Sequence, residues 1–179
     1  MASSTKEALS NALKKMLNIK PIDKITVKDL VEECGVNRQT FYYHFDDVYD
    51  LLEWVFEEDA NRVLPDEIFY DEWRVNVMKF FRYLYDNKTF VLNIYNSQNR
   101  SYMLRYFKRR MHYCIHGFAV IVAEGRNIDW SDLEFICEFY AQGMTGLISQ
   151  WLDLNMELPP EITVDKFMQV LDGSIASML

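Results

Sequence analysis

The chain has 179 residues, enough to bury a sizeable core in one domain or two small ones. Half of them are hydrophobic and about a quarter charged, the balance of a soluble globular protein, and no apolar run approaches the roughly 18–20 residues that would span a bilayer. The net charge of −8 at first argues against a nucleic-acid partner. The charge is unevenly placed, however. Residues 1–45 hold seven Lys/Arg against five Asp/Glu, a head of +2, which leaves −10 for the remainder. Such a head can meet phosphate while the acidic body repels DNA and favours one docking orientation.

Glycine is scarce and proline is confined to Pro21, Pro65, Pro159 and Pro160, so the breakers mark boundaries within a chain that reads as helix almost throughout. A first helix is expected from about Thr5 to Leu17, with Leu9, Leu13, Met16 and Leu17 on one face; Pro21 and Asp23 follow its end. Thr26 is placed to cap a second helix, with Asp29 in its acidic first turn and Val27, Leu30 and Val31 at helical spacing. Gly35 supplies the permissive backbone of a tight turn, and Asn37 caps a third helix whose apolar positions, Phe41 and Phe45, lie four apart. Two short helices meeting at a glycine read as a helix-turn-helix. Arg38 and Gln39 carry donors that read guanine or adenine edges, while Thr40, Tyr43 and His44 suit phosphates or a thymine methyl. Thr26 and Lys28 stand at the start of the second helix, where backbone amides favour an anion.

From Thr5 to Phe56 the chain resembles the TetR-type transcriptional regulators, in the order KEALSNALKKML, NIKPIDKIT, VKDLVEECGV, NRQTFYYHF and DVYDLLEWVF. The motif is carried by Asn37, Thr40, Phe41, Tyr42 and Phe45, and the resemblance implies that the Tyr42 hydroxyl meets a DNA backbone phosphate. The resemblance implies an all-α protein: an N-terminal three-helix DNA-binding domain, residues 1–46, and a helical dimerisation and effector domain, residues 47–179. It implies a DNA-binding regulator, more often a repressor than an activator, that binds a double-stranded operator as a homodimer under control of a small molecule or a protein co-regulator. Two positions depart from the family pattern: Val48, preceded by Asp46 and Asp47, stands where a phosphate-binding lysine is usual, and Val31 replaces a small alanine. The acidic substitution motivates the competing reading, an interaction module whose head no longer reads DNA.

Beyond the head, a fourth helix is expected over Asp47–Leu64, a fifth over Glu67–Asp86, and a short sixth over Phe90–Tyr95 capped by Thr89. The polar run NSQNRS precedes a long helix, Tyr102–Glu124; after a loop at Gly125–Asp129, Ser131 caps a helix to Leu154, and Pro159-Pro160 leads into a last one over Val164–Met178. Phe139 to Thr163 is similar to the C-terminal domain of a TetR subgroup that includes regulators of dihydroxyacetone kinase operons, with Gly143, Gly146, Leu147, Ile148 and Trp151 in its characteristic places. These five residues are expected at the dimer seam, where the two glycines let a partner helix come close.

Phe80, Tyr83, Phe90, Tyr95, Tyr106 and Tyr113 fall on helices five to seven, where the family's effector cavity usually lies, although aromatics at helical spacing more often form core. His112 and His116 lie four apart, but no carboxylate shares their turn and Cys114 points to another face, so no metal or cofactor is expected. Arg105, Lys108, Arg109 and Arg110 read as a charged helix face open to an anionic effector or a protein partner. Cys34, Cys114 and Cys137 are expected as reduced thiols, and the apolar-poor start MASSTKEALS points to the cytoplasm. No phosphate loop, nucleophile elbow or catalytic histidine pairing is found, which leaves an enzyme without support.

Overall fold

A computed structural model describes residues 4–63, 73–123 and 129–178. The expected openings at Glu67 and Gly125 lie outside these residues. The described residues form helices and connecting turns and no strand. In order the helices are α1 (Thr5–Leu17), α2 (Val27–Cys34), α3 (Arg38–His44), α4 (Val48–Val63), α5 (Trp73–Asp86), α6 (Lys88–Tyr95), α7 (Arg100–Ala123), α8 (Trp130–Asp153) and α9 (Pro160–Met178), with a 3-10 turn at Ile22–Lys24. The chain divides into two compact units: residues 1–60 with 87–103, and residues 61–86 with 104–179.

In the first unit α1 packs on α2 and α6, and α2 on α3. Leu9, Leu13 and Leu17 are fully buried, as the spacing of α1 predicts, together with Leu30, Phe41, Leu51 and Val55. Val31, the larger residue where the family has alanine, is also buried. An ion pair crosses this core: Lys14 Nζ lies 2.5 Å from Asp59 Oδ1, and the aspartate is almost wholly buried. The amide of Asn93 on α6 donates to the carbonyl of Leu17 at 2.8 Å, completing one of the acceptors that the end of α1 leaves open.

In the second unit α5 and α8 each pack on α9. Arg74 reaches Asp165 at 2.6 Å and Arg82 pairs with Glu161, two rungs between α5 and α9. Trp151 is the pin of this unit. Its ring packs against Phe81 and Tyr85, and its indole N–H donates to Leu158 O at 2.9 Å. That bond closes the turn after α8, where Asn155 and Met156 both have φ of 50°. The left-handed pair is held by the buried Met156 side chain and by its N–H, which donates to Trp151 O at 2.8 Å.

Five helix starts differ from expectation, two of them slightly: α4 opens at Val48, one residue late, and α7 at Arg100, two residues early. α6 opens at Lys88, leaving Thr89 inside its first turn. Asp129, two residues ahead of Ser131, caps α8: its Oδ1 accepts both the Ser131 N–H at 2.7 Å and the Ser131 hydroxyl at 2.6 Å, which commits that hydroxyl as a donor. α9 begins at Pro160, four residues earlier than expected: proline at the first helical position sacrifices no hydrogen bond.

Candidate nucleic-acid interface

The interface is assembled by three local devices. At the start of α2, Thr26 Oγ1 accepts from Asp29 N–H at 3.2 Å while Asp29 Oδ2 accepts from Thr26 N–H at 3.0 Å, a reciprocal capping box. These bonds, the Thr26 N–H first, and the Lys20 ammonium at 3.1 Å hold the Asp29 carboxyl below its ordinary value. At the turn, Gly35 has φ +66°, and Val36 N–H closes back on Val31 O at 3.0 Å. At the start of α3, Asn37 Oδ1 accepts both the N–H and the hydroxyl of Thr40, at 2.8 and 3.0 Å.

α3 is then bolted down by one face. Phe41 is fully buried, Phe45 nearly so, and Phe45 meets Trp54 of α4 edge-on with centroids 5.9 Å apart. Lys6 Nζ of α1 lies over both of these rings, at 5.4 and 5.7 Å, so its charge is engaged close to α3. The opposite face is open. Arg38 and Gln39 are exposed, Tyr42 is 57% exposed and Tyr43 84%. A tyrosine that far out of the core leaves its apolar ring in water and its hydroxyl free for another molecule. His44 is half-buried, its ring edge-on to Tyr43 at 4.9 Å. Thr40 is also half-buried, and its hydroxyl proton is committed to Asn37, so its methyl and lone pairs are what it can offer to DNA.

Lys28 is exposed and 3.7 Å from Glu32, a surface pair one helical turn apart that contributes little and yields readily to a phosphate. Lys24 was legible in the sequence only as one charge among seven. It is exposed, two residues ahead of Thr26, and so joins Lys28 beside the start of α2.

The acidic departure has a local cause. Asp47 Oδ1 accepts the N–H groups of Tyr49 and Asp50, at 2.7 and 2.9 Å, and Asp50 Oδ2 accepts the N–H of Asp46 at 2.9 Å. Val48 is buried. Asp47 and Asp50 thus tie down the start of α4 while Val48 fills the core, so these residues have a structural role of their own.

Of the residues expected at a dimer seam, Gly143, Gly146 and Leu147 are exposed on α8. Ile148 and Trp151 are not: Ile148 is fully buried and Trp151 is 3% exposed, because they belong to the inward stripe of α8 with Tyr140, Met144 and Leu152. A groove of about 530 Å³ runs along α8 and α9, with Phe139, Gly143, Leu147, Trp151, Ile162 and Val170 among its walls. The six aromatics expected at an effector site are divided. Phe90 and Tyr95 are core of the first unit; Phe80 and Tyr106 are core of the second, where Tyr83 is half-buried and Tyr113 exposed.

His112 Nε2 is 3.0 Å from Glu134 Oε1, and the His116 ring stacks on Trp130. Among the described residues no three His, Cys, Asp or Glu side chains converge to hold a metal. Burial pushes the Cys114 and Cys137 thiols up to about 11. No helix among the described residues is long and apolar enough to cross a membrane.

Known proteins match in the same places. The family described as "Bacterial regulatory proteins, tetR family" matches residues 5–55, and "Transcriptional regulator C-terminal region" matches residues 71–173. The chain is 27% identical over 149 residues, 80% of its length and 76% of the other protein, to the HTH-type dhaKLM operon transcriptional activator DhaS of Lactococcus lactis subsp. lactis (strain IL1403). Its fold resembles a solved structure of a dihydroxyacetone kinase operon activator DhaS, at 23% identity and a TM-score of 0.72 over 96% of each chain. It also resembles a TetR transcriptional regulator from Streptococcus agalactiae 2603V, at 18% identity and a TM-score of 0.65 over 93% of this chain and 92% of that one. With a recognition helix bolted by two phenylalanines and both parts of the chain matched, this protein belongs to the TetR family of DNA-binding transcriptional regulators.

Proposed function

We propose that the chain binds a double-stranded operator as a homodimer, joined through α8 and α9, and that a binding event in its helical body sets its affinity for DNA. The observation that carries the dimer is the pair Gly143 and Gly146. Each glycine inside a helix costs roughly 1 kcal/mol relative to alanine, yet a methyl group added at either position meets nothing within 4 Å. Nothing inside the protomer requires them to be glycine. A second copy of α8 laid against this face does, and the exposed Phe139 and Leu147 beside them then leave water. A two-fold dimer presents its two α3 helices to half-sites roughly 34–36 Å apart, or a multiple of that, on one DNA face.

α4 carries the buried Leu51, Leu52, Val55 and Phe56, and its Trp54 meets Phe45 beside the recognition helix, so a shift of α4 moves α3 with it. An effector works only to the extent that it binds one head spacing better than the other, typically by about 1–3 kcal/mol. The outcome commonest in the family is repression. Similarity to a protein named as an operon activator favours activation as the second reading. Reading DNA places the chain in the cytoplasm. The test is a gel shift of the purified protein against DNA upstream of its own and neighbouring genes, with sedimentation of the free protein. A monomer at micromolar concentration, or no retarded fragment, contradicts the proposal.

A further inference from the structure

The lysines of the head differ in what holds their charge. Lys14, Lys15, Lys20 and Lys28 each pair with a carboxylate. Lys6 does not. Among the described residues its ammonium makes no ion pair, and it lies 5.4 Å from the centre of the Phe45 ring and 5.7 Å from that of Trp54. The stem of a lysine covers apolar rings no better than a methionine would, so cover alone does not call for the charge.

The two rings fix where that charge stands. Phe45 directly follows His44, the last residue of α3, and Trp54 belongs to α4. Lys6 comes from the first turn of α1 and is half-buried, so its ammonium sits beside the C-terminal end of α3 and is partly open to solvent. That end of the recognition helix is otherwise acidic. Asp46, Asp47 and Asp50 follow Phe45 closely and are exposed, while Val48 among them is buried and uncharged. A DNA strand passing the end of α3 therefore meets three carboxylates, which repel phosphate, and one ammonium that attracts it. Charge acts over roughly 8 Å at physiological salt, which is farther than Lys6 stands from the Phe45 ring.

We propose that Lys6 is a DNA-binding residue, contributed by α1, that meets a backbone phosphate beside the C-terminal end of α3, and that Phe45 and Trp54 hold its ammonium in place for that contact. The proposal rests on the reading that α3 enters operator DNA. A lysine meets phosphate as a point charge and carries no sequence information, so Lys6 adds affinity and helps to fix the register of α3 without choosing a base. The two ring faces restrict a long side chain in advance, so less rotamer freedom is lost when the phosphate arrives.

The test is a fluorescence-anisotropy titration of the intact chain with a duplex that it retards in a gel shift and with an unrelated duplex of equal length, over about 50–200 mM salt. Lys6→Met keeps an apolar stem over the rings and removes the charge, Lys6→Gln is a second uncharged variant, and Lys6→Arg keeps the charge. The two uncharged variants are expected to lower the slope of log affinity against log salt by about one unit. They should weaken both duplexes alike, by about fivefold to tenfold near 0.1 M salt, while Lys6→Arg retains the unaltered slope. The slope reports counterions released from DNA, so a variant that is only less stable does not imitate this result. An unchanged slope in the uncharged variants, or a loss confined to one duplex, overturns the proposal. A protein that retards DNA but shows that outcome loses only the Lys6 contact. Failure of the unaltered protein to retard any duplex at about 50 mM salt overturns the operator reading itself, and this contact with it.

Discussion

The hydroxyl of Tyr49 donates to Asp23 Oδ1 at 3.0 Å, joining the turn that precedes the DNA-reading helices to the first turns of α4. Asp23 also accepts the N–H of Gln98 at 2.9 Å, Asn99 Nδ2 donates to the Tyr49 hydroxyl at 2.6 Å, and the Tyr49 ring stacks on Tyr102 at 4.9 Å. One carboxylate thus ties the approach to α2, the start of α4 and the α6–α7 corner within the first unit. Tyr49→Phe removes the hydroxyl and keeps the stacking. It is expected to lower stability by about 0.5–1 kcal/mol in urea unfolding, the low end for a hydrogen bond because water reaches this half-exposed cluster. A larger loss would mean that the cluster is less open to water than its exposure states.

Lys14 and Asp59 offer a sharper contrast. Lys14→Met leaves a buried carboxylate without its ammonium and should cost about 1–3 kcal/mol. The double change Lys14→Met with Asp59→Leu should recover most of that loss, since an apolar pair of similar size needs no compensation. A double variant less stable than Lys14→Met alone would give the ion pair a stabilising role beyond mutual neutralisation.

Gly143→Ala and Gly146→Ala should divide stability from assembly. Each added methyl enters open space and raises helix propensity, so the isolated protomer gains roughly 1 kcal/mol. The same methyls obstruct a close partner helix, so the dimer should dissociate at higher concentration in analytical ultracentrifugation. A protein that gains stability with unchanged dimerisation removes α8 from the seam.

The pH dependence of the head follows from Asp29. Its folded carboxyl lies below the ordinary 3.8, lowered first by the Thr26 N–H, so its contribution to stability is fully present above 3.8. That contribution is lost as pH falls through the lower folded value. The stability difference between the unaltered protein and Asp29→Asn should therefore be constant from pH 5 to 7 and shrink below about pH 4. A difference that persists unchanged at pH 2 would assign the effect to helix propensity.

The head was legible from sequence because its signals are local: Thr26, Gly35 and Asn37 act within four residues of themselves, and Phe41 and Phe45 announce their burial by spacing. The recognition face followed as what remained. Long-range matters were not legible. Ile148 and Trp151 sit in sequence among the residues expected at a seam, yet they are buried within the protomer, Trp151 against Phe81 and Tyr85 of α5, while Gly143 and Leu147 stay outside. The phenylalanines and tyrosines of the body carried no information on which unit would hold them. Asn76 of α5, buried with no hydrogen-bond partner for its amide, gave no signal at all, since an asparagine in a helix is ordinary until its burial is known. At Val48 the missing lysine was visible in the sequence, whereas the capping work of Asp47 was not.

Sequence discrimination by α3 is the central claim, and a fluorescence-anisotropy titration of Arg38→Ala against single-base variants of the bound operator tests it most directly. If Arg38 reads a base edge, the variant loses about 1–3 kcal/mol on the preferred site and its preference at one base position disappears. Lys28→Gln, by comparison, should weaken every sequence alike and reduce the salt slope by about one unit. An Arg38→Ala protein that ranks the operator variants exactly as the unaltered protein does would contradict the account.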